Sequence, residues 1–267
     1  MKKRLVVLLI IIALLAVSFV TAMQDSKVET TCYEYQSDLI GGDFDGYKIV
    51  QISDFHRSKL SDKAIAAVAE EKPNLIVITG DLIDSGDTDL TTALTFTEQL
   101  TKIAPVYFVT GNHEAGSTLF DTLTEKLTAL GVTELRNETV TINSGNGCFA
   151  LTGISDPLFL SGLDYVTPVK GQLNILLSHR PELFESYVDK GYQLVLTGHA
   201  HGGQIRVPGI GGLVAPDQGL FPTYDAGLYT EGNTTMVVNR GIGNSILPLR
   251  INNPPEIVSV TLKSTAK

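Results

Sequence analysis

The chain has 267 residues, 43% of them hydrophobic and 18% charged. That is enough for one large α/β domain with a substantial core once an N-terminal segment is set aside, and it excludes a disordered, collagenous or coiled-coil protein. The formal net charge is −9, and without Lys2, Lys3 and Arg4 the remainder is more acidic by three charges; proteins that grip nucleic acid through its phosphates present a basic face, so no nucleic-acid partner is expected.

Lys2, Lys3 and Arg4 precede Leu5 to Ala22, a stretch with no charged residue. As a helix it reaches about 27 Å, close to the ~30 Å thickness of the hydrocarbon layer. Residues 1–23 therefore read as a membrane anchor, or as a secretory signal if Val20-Thr21-Ala22 marks a cleavage site. The basic residues stay cytoplasmic, which puts the following domain on the extracytoplasmic side, secreted if the leader is cleaved. Residues 24–46 are polar and mixed, a linker leading into an edge strand; 47–262 form the domain and 263–267 a tail. The two cysteines, Cys32 and Cys148, share no C-x-x-C spacing, which excludes a zinc knuckle. Spacing leaves open a single disulfide or two unrelated thiols, the latter being the plainer reading.

From Tyr47 short β-branched runs alternate with helical stretches. Ile49 to Ile52 reads as a buried strand. Ser61 is placed to cap a helix over Asp62 to Glu71 that Pro73 ends. Leu75 to Ile78 is a second strand, Thr88 to Lys102 a helix, and Val106 to Val109 a third strand. A helix from Ser117 to Leu130 stops at Gly131. This order implies parallel strands with right-handed crossovers. Later, Thr139 to Asn143 and Cys148 to Gly153 read as antiparallel strands. Asn174 to Leu177 and Leu194 to Leu196 are buried strands, with Pro181 to Asp189 helical between them. Gly202 to Pro255 is rich in Gly, Pro and Asn, with strands near Thr235 to Val238 and Ile257 to Leu262.

Each buried strand ends in acidic or metal-binding residues: Ser53-Asp54-Phe55-His56, Gly80-Asp81-Leu82-Ile83-Asp84, Gly111-Asn112-His113-Glu114, Ser178-His179 and Gly198-His199-Ala200-His201. Carboxyl ends of parallel strands share one edge of a sheet, where open α/β proteins bind ligands. All five histidines of the chain stand in these clusters. Capping and turn residues at strand ends account for Asp and Asn, but not for five histidines. Imidazole suits Zn, Fe and Mn, while carboxylate and amide oxygens suit harder ions. A carboxylate can bridge two cations about 3.5–4 Å apart, the spacing of two-metal phosphatases.

Taken in order, Asp54-x-His56, Gly80-Asp81-x-x-Asp84, Gly111-Asn112-His113-Glu114, His179 and Gly198-His199-x-His201 resemble the signature of the calcineurin-like metallophosphoesterases. The resemblance spans roughly Tyr47 to Leu262. Gly198 to Gln204, Gly211 to Leu213 and Asn239 to Gly241 are similar to membrane-associated bacterial members, among them UDP-2,3-diacylglucosamine pyrophosphohydrolase-like and cell-wall phosphoesterases. The resemblance implies an α/β fold, a two-sheet sandwich flanked by helices in four αββα layers, preceded here by the N-terminal apolar helix. It implies two divalent metal ions, Mn, Zn or Fe. Asp54, His56 and His201 would hold the first, Asn112, His179 and His199 the second, and Asp81 both. His113 would stand beside the substrate as a catalytic residue, with Asp84 orienting its imidazole. The implied activity is hydrolysis of phosphate esters or pyrophosphate bonds, water attacking phosphorus in line, on a small or lipid-linked substrate at the membrane. A metal-binding envelope module with little catalysis and a nuclease of the same fold are the competing readings.

The remaining residues are less decisive. Glu114 reads as structural or solvent-facing. Arg57 and Arg180 follow ligand candidates and fit a phosphate or a salt bridge equally well. Arg240 and Arg250 read as structural. Phe221, Tyr224, Leu228 and Tyr229 either pack under a long loop or face an acyl chain or the membrane interface.

Overall fold

The computed structural model describes residues 27–244 and 250–266. In chain order these form β1 (Glu29–Ser37), β2 (Lys48–Ile52), α1 (Ser61–Glu71), β3 (Leu75–Thr79), α2 (Thr91–Thr101), β4 (Val106–Val109), α3 (Asn112–Ala115), α4 (Phe120–Ala129), β5 (Thr133–Glu134), β6 (Glu138–Ser144), β7 (Gly147–Gly153), β8 (Asn174–Leu177), α5 (Phe184–Lys190) and β9 (Leu194–Thr197). The Gly-rich part adds β10 (Arg206–Val207), β11 (Gly211–Gly212), β12 (Val214–Ala215), β13 (Gly219–Leu220), β14 (Gly227–Glu231), β15 (Thr234–Val238) and β16 (Glu256–Ser264).

Two six-stranded sheets carry the fold, in the orders β1-β16-β2-β3-β4-β5 and β14-β15-β9-β8-β7-β6. β2 through β5 run parallel, as do β7, β8, β9 and β15; β6–β7, β14–β15 and β16–β2 are antiparallel. The continuous apolar runs follow from burial on both faces. In β3, Leu75 and Val77 point between the sheets, into a core with Val109, Leu151, Ile175, Leu196 and Val258. Ile76 and Ile78 point the other way, against Val68 of α1 and Phe96 and Leu100 of α2. The outer face of the second sheet buries Leu176, Val195 and Val238 against Phe184 and Tyr187 of α5. The resulting order is helix, sheet, sheet, helix.

The structure differs from the sequence reading at several boundaries. β1 pairs with β16 along its whole length, from Glu29 with Glu256 to Ser37 with Ser264. The sheet thus takes in residues on both sides of the 47–262 stretch. β1 has alternating exposure because it is an edge strand with one face toward solvent. Ser61 is the first helical residue rather than a cap, and Leu60 holds the cap position without a side-chain bond. The expected helix from Thr88 starts at Thr91, after a turn closed by Asp87 N–H to Asp84 C=O at 3.0 Å. Cys32 and Cys148 are free thiols, on β1 and β7 of different sheets. The apolar helix expected over residues 5–22 lies outside the described residues. Among the described residues no helix is long and apolar enough to cross a membrane.

Candidate active site

The carboxyl ends of β2, β3 and β4 in one sheet meet those of β8 and β9 in the other. Buried polar contacts tie the sheets together there. Gln51 Nε2 donates to Thr197 C=O at 2.8 Å and to Thr79 Oγ1 at 2.9 Å, and Asn239 Nδ2 donates to Gln51 C=O at 3.2 Å. Just past this seam the chain turns sharply. Asp54, His56, Asp81, His199 and His201 all have positive φ, between 43° and 66°. Such conformations cost non-glycine residues of the order of 1 kcal/mol or more, and concentrate at functional sites. Here they fold the side chains back over the strand ends toward one point. Gly80 makes this possible: its φ is +90°, and a Cβ there would lie 2.5 Å from His179 Nδ1 and 2.7 Å from the Gly111 nitrogen.

The seven expected ligands fall into two groups that share Asp81. Asp54, His56, Asp81 and His201 bring their donor atoms within 4.8 Å of one another, and so do Asp81, His179 and His199. Asp81 Oδ2 lies 3.6 Å from His56 Nε2 and 3.2 Å from His179 Nε2. His201 Nε2 is 3.3 Å from Asp54 Oδ1. Asn112 Oδ1 joins the second group, 3.2 Å from His179 Nε2. Nitrogen and oxygen ligands about 2.0–2.2 Å from an ion stand roughly 3.0–3.5 Å apart, so these spacings suit donors that share a cation.

The proton inventory supports the same fit. His179 Nδ1–H donates to Thr79 C=O at 2.7 Å, which leaves Nε2 aimed inward. That atom faces His199 Nδ1 at 3.1 Å. Two imidazole lone pairs at this distance repel unless a proton or a cation lies between them. Buried His56 Nε2, the atom that faces Asp81, has no hydrogen-bond partner, an arrangement that is costly unless an ion satisfies it. Without a cation the acids favour protons on His56 and His179 instead. Burial opposes the imidazolium of His179, but Asp81 and Asp54 raise it to about 10. Burial, His179 and Arg180 push His199 down to about 3. Burial also opposes the charge on Asp81, yet the surrounding His179, His56 and His113 hold its carboxyl well below the usual range.

Asp84 and His113 are adjacent to this cluster, though their pairing differs from the expectation. Asp84 Oδ1 accepts from His56 Nδ1–H at 2.8 Å and is 3.6 Å from His113 Nδ1. A carboxylate behind an imidazole fixes which nitrogen is free to face an ion, and the geometry pairs Asp84 in this way with His56 rather than His113. His113 Nδ1 instead accepts the Ser85 backbone N–H at 3.1 Å. Its side chain is 25% exposed, against 4% or less for the other four histidines.

Glu114 does not face solvent. It is fully buried and accepts from the backbone N–H groups of Asp81 (2.8 Å), Gly111 (2.8 Å) and Ile83 (3.2 Å), clamping two ligand loops. Burial and the Asp81 charge raise its pKa to about 7. The signal was available: an acid three residues after Gly111 is the second half of a capping box. Asp156 and Asp217, which meet Arg180, carry no sequence signal. Arg57 ion-pairs with Asp87 at 2.8 Å and Asp84 at 3.3 Å. Arg240 bridges Glu29 and Glu256, and Arg250 is buried against the carbonyls of Arg240 and Gly243. The aromatic segment divides: Tyr224 stacks edge-on against Tyr229 and Phe184, while Phe221 and Leu228 are exposed.

Comparison with known proteins agrees with this geometry. The profile of the "Calcineurin-like phosphoesterase" family matches residues 47–203. An uncharacterized metallophosphoesterase of Bacillus subtilis, YkuE, is 37% identical over 91% of this chain and 88% of its own length. The phosphodiesterase YaeI of Escherichia coli is 32% identical over 81% of this chain and 82% of its own. The crystal structure of TT1561 from Thermus thermophilus shares the fold, with a TM-score of 0.51 at 11% identity over 73% of this chain and 90% of that one.

Proposed function

The chain belongs to the calcineurin-like phosphoesterases, metal-dependent enzymes that use two divalent cations, and on that premise we propose that it hydrolyses phosphodiester or pyrophosphate bonds of a small or lipid-linked substrate at a membrane. The observation that carries this reading is Asp81, whose one carboxylate belongs to both donor groups. Asp54, His56 and His201 would hold one cation, Asn112, His179 and His199 the other, and Asp81 would serve both. Bound there, the cations would supply Lewis-acid polarisation of the phosphoryl oxygens and would make a water acidic enough to lose its proton at neutral pH and serve as the in-line nucleophile.

The protein's own groups prepare the rest. Asp84 and the Thr79 carbonyl fix the ring orientations of His56 and His179. His113, with Nδ1 occupied by the Ser85 N–H, carries its proton on Nε2. As the exposed histidine it presents that donor to substrate, where it stabilises a phosphoryl oxygen or protonates the leaving group. The name of the E. coli relative favours a diester. The uncharged Leu5 to Ala22 stretch behind three basic residues supports a membrane location, as does a zebrafish relative named a transmembrane protein with metallophosphoesterase domain, 30% identical over 98% of this chain and 63% of its own length.

The test uses purified protein stripped by chelation and reloaded with Mn²⁺. It is expected to cleave bis-p-nitrophenyl phosphate in preference to p-nitrophenyl phosphate, and Asn112→Ala and His113→Ala to lose that turnover. Preference for the monoester overturns the diester assignment. A folded, metal-loaded protein inert on both esters and on a nucleotide-linked lipid is a metal-binding envelope module instead.

A further inference from the structure

Arg180 gathers two acids from loops that contribute none of the seven ligands. Its Nε donates to Asp156 Oδ2 at 2.5 Å and its Nη2 to Asp156 Oδ1 at 3.1 Å, a forked pair with a carboxylate that is itself buried. Its Nη1 donates to Asp217 Oδ2 and stands 2.9 Å from His199 Nε2. Asp217 Oδ2 is in turn 2.9 Å from the same His199 nitrogen. Asp217 sits at the tip of the β12–β13 hairpin with φ +56°, so a left-handed turn aims its carboxylate at the ring.

We infer that Asp217 is the positioning residue for His199, selecting the ring tautomer in which Nδ1 is free for a cation; this rests on the two-cation reading above. The argument is one of donors and acceptors. A carboxylate only accepts, so Asp217 requires the proton on His199 Nε2, which leaves the Nδ1 lone pair facing His179. Guanidinium only donates. With Asp217 gone, Arg180 at 2.9 Å stabilises the opposite tautomer, with a lone pair on Nε2 and the proton on Nδ1 where a cation must bind. Arg180 is thus useful to His199 only through Asp217, whose charge it holds in place while Asp156 anchors it from behind. The arrangement is the counterpart of Asp84 behind His56, one carboxylate behind one ligand imidazole in each donor group.

The experiment compares wild type, Asp217→Ala and Asp217→Asn by Mn²⁺ calorimetry and by ¹⁵N NMR of the histidine rings in the chelated protein. Asp217 lies on an exposed hairpin tip, so both variants retain the fold, checked by circular dichroism. The expected result for Asp217→Ala is a roughly 10–100-fold weaker affinity for one of two cations, and one histidine moved from the Nε2–H to the Nδ1–H form. Asp217→Asn, whose amide oxygen still accepts from Nε2–H, keeps the wild-type tautomer and most of the affinity. Unchanged tautomers and affinities in Asp217→Ala overturn the inference, and so does an equal loss at both sites, which marks general loosening. Wild type that binds fewer than two Mn²⁺ refutes the two-cation reading itself, a different result from either.

Discussion

At the scale of single residues, hydrogen-bond partners separate ligands from reacting groups. Asp84 is bound to His56 and His113 to a backbone N–H, so the roles proposed for them differ: Asp84 would position a ligand ring and His113 would meet substrate. Asp84→Ala is expected to weaken one cation about 10–100-fold in a Mn²⁺ titration. His113→Ala is expected to keep both cations and lower kcat by about 10²–10⁴; loss of a cation from that variant contradicts the assignment. Residue type and position after a strand made both residues visible in the sequence. Which histidine Asp84 serves was not visible, because His56 and His113 lie at nearly equal sequence distance from it on either side.

At the scale of elements, the four-residue helix α3 matters beyond its length. It carries Asn112 and His113 and, through Glu114, binds three backbone N–H groups of the Asp81 and Gly111 loops. Glu114→Ala leaves those donors buried without an acceptor, each at about 1–3 kcal/mol. The metal-free variant is expected to lose roughly 3 kcal/mol or more in urea denaturation, and a loss below about 1 kcal/mol would refute the clamp. A contrasting case is Lys72, the left-handed cap of α1 with φ 51° and ψ 56°. Lys72→Gly relieves that conformation and is expected to add about 0.5–1 kcal/mol with turnover unchanged. The periodicity that located α1 and α2 carries no information about such caps, and it set the start of α2 three residues early, at Thr88 rather than Thr91.

At the scale of the molecule, the candidate metal centre lies where the two sheets meet: Asp54, His56, Asp81 and Asn112 come from the first, His179, His199 and His201 from the second. Cations bound there would cross-link the sheets, and chelation is expected to lower the melting temperature, with about 2.7 kcal/mol regained at a hundredfold excess over Kd. Protons compete for the same atoms. His179 is held protonated up to about 10 and His56 is raised by Asp84 against burial, so a cation must displace their protons. Its apparent affinity therefore rises with pH below about 10, by up to about tenfold per unit for each proton released. Calorimetry in buffers of different ionisation enthalpy measures that release, and an affinity flat between pH 6 and 8 contradicts it.

The sequence by itself determined the alternation of strands and helices, because burial on both faces forces unbroken apolar runs, and it pointed to the residues that the fold gathers into two donor groups, because histidine, aspartate and asparagine follow the buried strands. It could not determine partners. The pairing of β1 with β16, the buried clamp of Glu114 and the carboxylates behind His56 and His199 all depend on which distant segments the folded chain brings into hydrogen-bond reach. That is decided by packing two sheets face to face, and local propensity does not encode it.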